Sequence, residues 1–588
     1  MRERVRYMQE SSVRSSPLYR LDAKHAKLSI SDRIVALAIK VFNPLAKRLE
    51  QMMPTIGEDI LKSNLLIAPD AFLSLLLFIT FASIGVSVVA AYLMLSMNLL
   101  LLAVAIPMPA YVFGIGIAIP KISQSSRASA LDSEIVFVIG YLSVLMGGGV
   151  SPIRLFRRLS ESKLYPASAR EARRILTLVD VFGMNPITAI ERVARYCPNK
   201  IFSDFLAGYI SVLRIGGDVN SYMEMKQKEM MNYRTFKLKS TTELVGTFAE
   251  AYLAATVVLG ISLFVLQAVQ AMTSQSALNL DMIMLYTSIF IPAISGAFIY
   301  IIHSAQTKEP ISYMLPHYVF GASAIAIPVL YFMPLDIPVY IRLAIGLAIS
   351  TSAAAVINII ESRKKQAMEN VLPSFISDLA EIRKTGLSPE KGIQILSNRN
   401  YGILSRSIKR MANQLSWGVP LSKVMQDFGK DVNSWFVRSV GFIMLVVVET
   451  GGGTTMLFNN LAEFAQKSKE LERERRSMFR PYIFLPYFGA ILTIVSTVVI
   501  INMITGQISS LTEQTNTNIT LFTTNTTAVR EIMLTATIFQ AWTMGLVAGK
   551  MGEWSLAAGY KHATILALAG IITIYMVETL ANITGFMR

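Results

Sequence analysis

The sequence predicts an all-α, polytopic membrane protein with about nine transmembrane helices and two duplicated cytoplasmic helical bundles. Three observations predict it. Only 16% of the 588 residues are charged while 53% are apolar, whereas a soluble chain carries about a quarter charged residues. Apolar stretches long enough to cross a bilayer core, which takes roughly 20 helical residues, recur along the chain. The polar stretches between them show one pattern of glycines and prolines twice over. An ordinary soluble enzyme is excluded.

The stretches free of Lys and Arg and long enough to span are Ala71–Leu95, Met97–Ile119, Val245–Val269, Met282–Ile302, Tyr318–Met333, Leu343–Ile360, Tyr482–Ile504, Met533–Gly549 and Ala563–Thr584. The fifth and eighth are short. With the N-terminus inside and nine crossings, 52 of the 55 Lys and Arg residues lie on the inside. Only Arg342, Arg530 and Arg588 fall outside, and the positive-inside rule selects this orientation. It gives a basic cytoplasmic N-terminal region at 1–70, a transmembrane hairpin at 71–120 and a first cytoplasmic domain at 121–244. A transmembrane pair at 245–302 and a hairpin at 318–360 follow. A second cytoplasmic domain occupies 361–481, and three transmembrane helices occupy 482–588, with an external loop at about 505–532 and an external C-terminus. That loop carries two N-glycosylation sequons, Asn518-Ile-Thr and Asn525-Thr-Thr.

The net charge of +16 fits cytoplasmic loops beside anionic lipid. Nucleic-acid binding is disfavoured, because the basic residues are spread over segments tied to the bilayer without interleaved aromatics. A single cysteine, Cys197, excludes an internal disulfide, and four scattered histidines (His25, His303, His317, His562) offer no metal-ligand spacing. No metal and no cofactor is expected. No short apolar h-region of a signal peptide is visible near the start.

The two large inside segments carry matching punctuation. Gly149-Val-Ser-Pro152, Gly183-Met-Asn-Pro186 and Gly216-Gly-Asp218 mark the first; Gly386-Leu-Ser-Pro389, Gly418-Val-Pro420 and Gly451-Gly-Gly453 mark the second. The glycines are 34 and 33 residues apart in one copy and 32 and 33 in the other. Glycine ends a helix in the left-handed conformation and proline opens the next in its first turn. Apolar residues between the marks recur at helical spacing, as at Ile135, Val138, Ile139 and Leu142. Each segment therefore reads as about six short helices, duplicated at an offset near 235 residues. No proline follows Gly217 until well past Val269, so one helix is expected from Asp218 through the third span, of order 80 Å. Pro481 and Pro486 should kink the corresponding passage in the second copy.

The end of each copy carries the most specific motif. Glu449-Thr-Gly-Gly-Gly-Thr-Thr-Met-Leu-Phe, followed by a charged helix and a span, resembles the glutamate-glycine turn of the type II secretion F-domain family, in its archaeal branch. Arg214-Ile-Gly-Gly-Asp-Val-Asn-Ser-Tyr-Met is its counterpart. The resemblance covers about 121–270 and 361–505. It implies an integral-membrane platform, not an enzyme, for a type IV pilus-like or archaellum filament machine. The implied partners are a hexameric secretion ATPase, pilin- or archaellin-like subunits, other membrane components of the machine, and a second copy in a homodimer. The alternative reading is a secondary transporter with duplicated modules, although its repeats would lie within the membrane and these spans carry almost no polar cluster.

Against that background Arg383, Lys384, Arg406, Lys409, Arg410 and Arg438 form a candidate ATPase-docking set, set against the plain reading of solvated helix surface. Arg473, Arg475 and Arg476 read better as contacts to lipid or solvent, or as intrahelical pairs. Gly216, Gly217, Asp218, Glu449, Gly451 and Gly452 are the domain-turn motifs. Glu449, unfavourably placed near a helix C-terminus, calls for a specific partner such as an arginine of its own bundle. The triple glycine lacks the lysine of a P-loop. Glu250 and Glu578 lie within apolar spans, where a carboxylate is a functional candidate for a proton relay, helix packing or contact with a pilin amino terminus.

Overall fold

The computed structural model describes residues 30–583 except 64–66, 98–106, 147–149, 263–264, 266–284, 307–312, 335, 452–454 and 516–519. Every regular element among the described residues is helical. In order these are α1 (Ile30–Met52), α2 (Pro54–Ser63), α3 (Pro69–Met97), α4 (Met108–Met146), α5 (Pro152–Glu161) and α6 (Pro166–Leu176). A π turn at Thr177–Val181 precedes α7 (Pro186–Arg195), α8 (Lys200–Ile215) and α9 (Val219–Leu253), which continues through a π turn at Ala254–Val258. A further π turn, Tyr286–Phe290, leads into α10 (Ile291–Ala305), followed by α11 (Leu315–Ser323), α12 (Ala326–Phe332) and α13 (Val339–Lys384). Then come α14 (Pro389–Leu396), α15 (Leu404–Ser416), α16 (Leu421–Asp431), α17 (Trp435–Gly451) and α18 (Thr455–Phe479). A 3₁₀ turn at Arg480–Ile483 joins α18 to α19 (Phe484–Thr515), before α20 (Thr520–Glu553) and α21 (Leu556–Ile583).

Eight described helices are long and apolar enough to cross a membrane, and the shorter apolar helix Ile291–Ala305 sits where the fourth span is expected. The protein is an all-α polytopic membrane protein. The short fifth stretch is two helices, α11 and α12, meeting at a turn over Ala324 and Ile325. Pro328 has no N–H to reach the Ala324 carbonyl, which accounts for the break. The eighth stretch looked marginal for a different reason. In Thr527–Glu553, 78% of the most apolar window is buried in protein, against 33% in Pro69–Val89. A span surrounded by other helices tolerates Thr537, Gln540 and Thr543, which a lipid-facing one would not.

The chain divides into two compact units, Met1–Asp132 with Arg174–Ser211, and Ser133–Arg173 with Val212–Arg588. In the first, Ala46, Ile56, Ile60 and Leu73 form a small core where α1 and α2 meet α3. The Arg127 guanidinium donates to the Lys62 carbonyl at 2.5 Å, and Asn199 caps α8 by accepting from the Phe202 N–H at 2.9 Å.

In the second unit the end of α4 is a core helix, with Ile135 through Met146 buried without a break. Phe137 meets Trp435 at 4.2 Å and Phe464 at 5.8 Å between ring centres. Gly140 makes that approach possible, since a Cβ there would lie 2.2 Å from the Phe464 ring. Glu134, 2% exposed, accepts from the Ala167 and Ser168 N–H groups at 3.0 and 2.8 Å. It thereby caps α6, whose first turn leaves backbone donors unpaired. The spans share a large apolar core that includes Val245, Leu347, Ile494, Met533 and Ala567.

Candidate functional site

The two stop-start turns and the helices they launch form the candidate site. Gly216 takes a φ of 76°, and the Gly217 N–H returns to the Val212 carbonyl at 2.9 Å, closing α8. Asp218 then caps α9: its carboxylate accepts from the Asn220 N–H at 2.9 Å and the Ser221 hydroxyl at 2.6 Å. Those bonds, led by the Ser221 hydroxyl, lower its pKa. From there the helix runs Val219–Ser262 as one piece of 44 residues, about 66 Å at 1.5 Å per residue. In the second copy Gly451 is the last residue of α17, and Gly452 lies outside the described residues. The passage from α18 to α19 is broken by the 3₁₀ turn containing Pro481. Pro486 falls in the first turn of α19, where it is tolerated.

Glu449 pairs with Arg158 at 3.1 Å. The arginine comes from α5 of the other duplicated segment, not from the glutamate's own bundle as the sequence led us to expect. Arg158 also reaches Glu161 at 3.2 Å.

The basic set separates into two kinds. The Arg383 guanidinium donates to the Leu387 carbonyl, Lys384 pairs with Glu381 at 2.6 Å, and the Arg438 Nε donates to the Val432 carbonyl at 2.6 Å. These three hold turns and helix ends. Arg406, Lys409 and Arg410 are exposed on α15.

An ion cluster centred on the buried Glu369 joins α13, α17 and α18 on the polar side of the spans Leu343–Ile360 and Tyr482–Ile504. Glu369, 5% exposed, accepts from the Ser434 hydroxyl at 2.7 Å and from Arg476 at 3.0 Å. Burial pushes its carboxyl up, against the pull of Lys365. Burial also works against the charge of Glu472, but Arg475, Arg476 and Lys365 outweigh it and bring its pKa down to about 2. Beside the cluster is a cavity of about 40 Å³ lined by Phe137, Arg234, Glu369, Trp435 and Ser468, room for a few waters. Arg475 lies 4.7 Å over the Trp554 ring, carrying the cluster to the turn between α20 and α21. From the sequence, Arg475 and Arg476 are expected at lipid or solvent, or in intrahelical pairs. Arg475 does pair with Glu472 along its own helix, and Arg476 adds the interhelical bond to Glu369.

Of the carboxylates in apolar helices, Glu578 pairs with Arg530 of α20 at 2.5 Å, and Glu250 is exposed on α9. Two histidines reach α20 and α21: Lys550 donates to the His303 ring at 3.2 Å and His317 bonds the Tyr560 hydroxyl at 2.8 Å, while His562, on α21, bonds the Tyr487 hydroxyl of α19 at 2.8 Å. Among the described residues no group of three or more His, Cys, Asp or Glu is placed to hold a metal.

Sequence reasoning missed a polar seam within the spans. The Gln540 amide donates to the Thr256 carbonyl at 2.8 Å, the Tyr252 hydroxyl meets Ser295 at 3.1 Å, and Thr537 donates to Thr497 at 3.1 Å. These are interhelical bonds of the kind that glue membrane helices. Each partner sits on a different helix, so no single apolar stretch reveals them. The Thr256 carbonyl lies in the π turn of α9, where it accepts from the Leu259 N–H as well as from Gln540.

The profile of the family described as Type II secretion system (T2SS), protein F matches residues 138–267 and again 375–501. Over 493 residues the chain is 22% identical to Uncharacterized protein MJ1286 of Methanocaldococcus jannaschii, covering 77% of this chain and 80% of that one. Over 421 residues it is 20% identical to Flagella accessory protein J of the same archaeon, covering 67% of this chain and 74% of the relative. No solved structure matches significantly. The matched ranges take in both stop-start turns and the helices that follow them into the spans, so the type II secretion system protein F domain is present twice in this chain.

Proposed function

We propose that the protein is the integral-membrane platform of an archaeal type IV pilus-like or archaellum assembly machine. The polar parts of both F domains face the cytoplasm, contact a secretion ATPase and pass its motion to filament subunits in the bilayer. The observation that carries this reading is that each F domain ends in a helix continuous, or nearly so, with a membrane span: Val219–Ser262 in one and Thr455–Met503 in the other. A force on the polar end of such a helix is delivered within the membrane, because its backbone bonds leave little compliance along the axis. The ion cluster ties α13 to α18, so the second domain moves both of its membrane helices together. The membrane seam favours a platform over a transporter, since its hydroxyls and amide are spent on holding helices to one another.

Deletion of the gene tests this directly. Surface filaments should disappear and return with the wild-type chain, and the full-length protein should co-purify with the ATPase and with pilin-like subunits. Normal filaments in the deletion strain would contradict the proposal.

A further inference from the structure

The cavity beside the ion cluster lies where the two duplicated segments meet. Phe137 of α4 and Arg234 of α9 enter its wall from the first segment. Lys365 and Glu369 of α13, Trp435 of α17, and Ser468 and Glu472 of α18 enter from the second. All of them belong to the same compact unit.

Two of these residues bury a polar atom that is left over. Trp435 is 5% exposed and Ser468 is 8% exposed, and among the described residues neither the indole Nε1 nor the hydroxyl Oγ has a hydrogen-bond partner. A donor buried without a partner keeps the full cost of its lost hydration. The indole is not free to swing towards another acceptor. Its ring stands edge-on to Phe137 at 4.2 Å and to Tyr165 at 6.0 Å between centres. On Phe137 lies the Arg234 guanidinium, 5.6 Å from the ring centre.

The carboxylates in the wall are engaged already. Glu369 accepts from Ser434 on one oxygen and from Arg476 on the other. Glu472 accepts from Arg476 on Oε1 and from Arg475 on Oε2. A water in the cavity would bring two more donors to these occupied carboxylates, whereas an anion only accepts. Arg234 and Lys365 line the same space. Both have other contacts, so what they add is positive charge in the wall; the unused donors are those of Trp435 and Ser468.

We propose that this cavity is a binding site for a small inorganic anion of chloride size, held by the Trp435 N–H and the Ser468 hydroxyl in the field of Arg234 and Lys365. The space of about 40 Å³ exceeds the roughly 10–15 Å³ that one water needs, which leaves room for a halide ion. Because the wall draws on both duplicated segments, a bound ion fastens α4 and α9 to α17 and α18, separately from the Arg158–Glu449 pair.

The test compares unfolding midpoints of the full-length protein in detergent micelles, in sodium chloride and in sodium gluconate of equal ionic strength. Chloride should raise the midpoint by about 2 °C or more and then saturate, as a ligand of the folded state does. Trp435→Phe keeps a ring against Phe137 and removes the N–H, and it should lose most of the chloride response; its midpoint in gluconate registers any loss of packing separately. Ser468→Ala, the gentler change, should lose a clear part of the response. In crystals grown with bromide in place of chloride, an anomalous peak should lie within hydrogen-bond distance of Trp435 Nε1. Equal wild-type midpoints in the two salts, or a chloride response unchanged in both variants, would overturn the site. Bromide crystals with water alone in the cavity would overturn it as well.

Discussion

The two F-domain copies end in helices that differ in stiffness. In the first, α9 runs from its Asp218 cap through its π turn to Ser262 without a break in direction imposed by proline. In the second, the 3₁₀ turn at Arg480–Ile483 separates α18 from α19, and the ion cluster of Glu369, Glu472 and Arg476 sits just before it. Two copies of one design have thus diverged into a rigid rod and a jointed one. The joint is braced from the side by Arg475 and Phe479 on Trp554. The difference teaches that duplication preserved the punctuation while the passage towards the membrane changed from an uninterrupted helix to one broken by a 3₁₀ turn.

The difference can be broken at its stiff end first. Thr247→Pro, at an exposed position in the later part of α9, removes a backbone bond and should cost about 3 kcal/mol or more. Filaments should be lost by electron microscopy, whereas Pro481→Ala in the second copy should leave them intact. Next in size is Glu369→Ala, which leaves the Ser434 hydroxyl without its buried acceptor while Arg476 keeps Glu472, and should cost about 1–3 kcal/mol in thermal unfolding.

The same cluster has a pH signature. Glu472 has its folded pKa depressed to about 2, below the ordinary carboxylate value of about 4.3. Its contribution is therefore complete above that ordinary value and is lost as pH falls towards 2. The stability gap between wild type and Glu472→Gln should close over that interval. A gap unchanged down to pH 2 would show that the arginines do not hold the charge. The smallest effect sharpens what the copies share: Gly183→Ala and Gly418→Ala should each cost roughly 1–2 kcal/mol, matched in the two copies because both glycines hold a positive φ.

Much of this was legible in the sequence. Gly183, Gly216, Gly386 and Gly418 all take the left-handed conformation their neighbouring residues demanded, with φ between 63° and 85°. The spans were legible because hydrocarbon leaves no choice but apolar helix. What stayed hidden depends on which surfaces meet. The Arg158 partner of Glu449 lies nearly 300 residues away in sequence, and nothing local links the two. Arg383 and Arg438 carry the same charge as Arg406, yet short turns fold their guanidinium groups back onto carbonyls. Trp417 follows the last residue of α15 and is exposed, whereas Trp435 opens α17 and is buried, a difference set by what packs against each. The polar seam of Thr256, Gln540 and Thr537 is invisible along any one span for the same reason.

The account stands most directly on the side of the membrane that α15 faces. Cys197 is buried, so it should be replaced by serine and single cysteines introduced at the exposed positions Trp417 and Asp336. With an impermeant maleimide on intact cells, Asp336→Cys should label at once, and Trp417→Cys should label after permeabilisation. Labelling of Trp417→Cys in intact cells would put the second F domain outside and contradict the account.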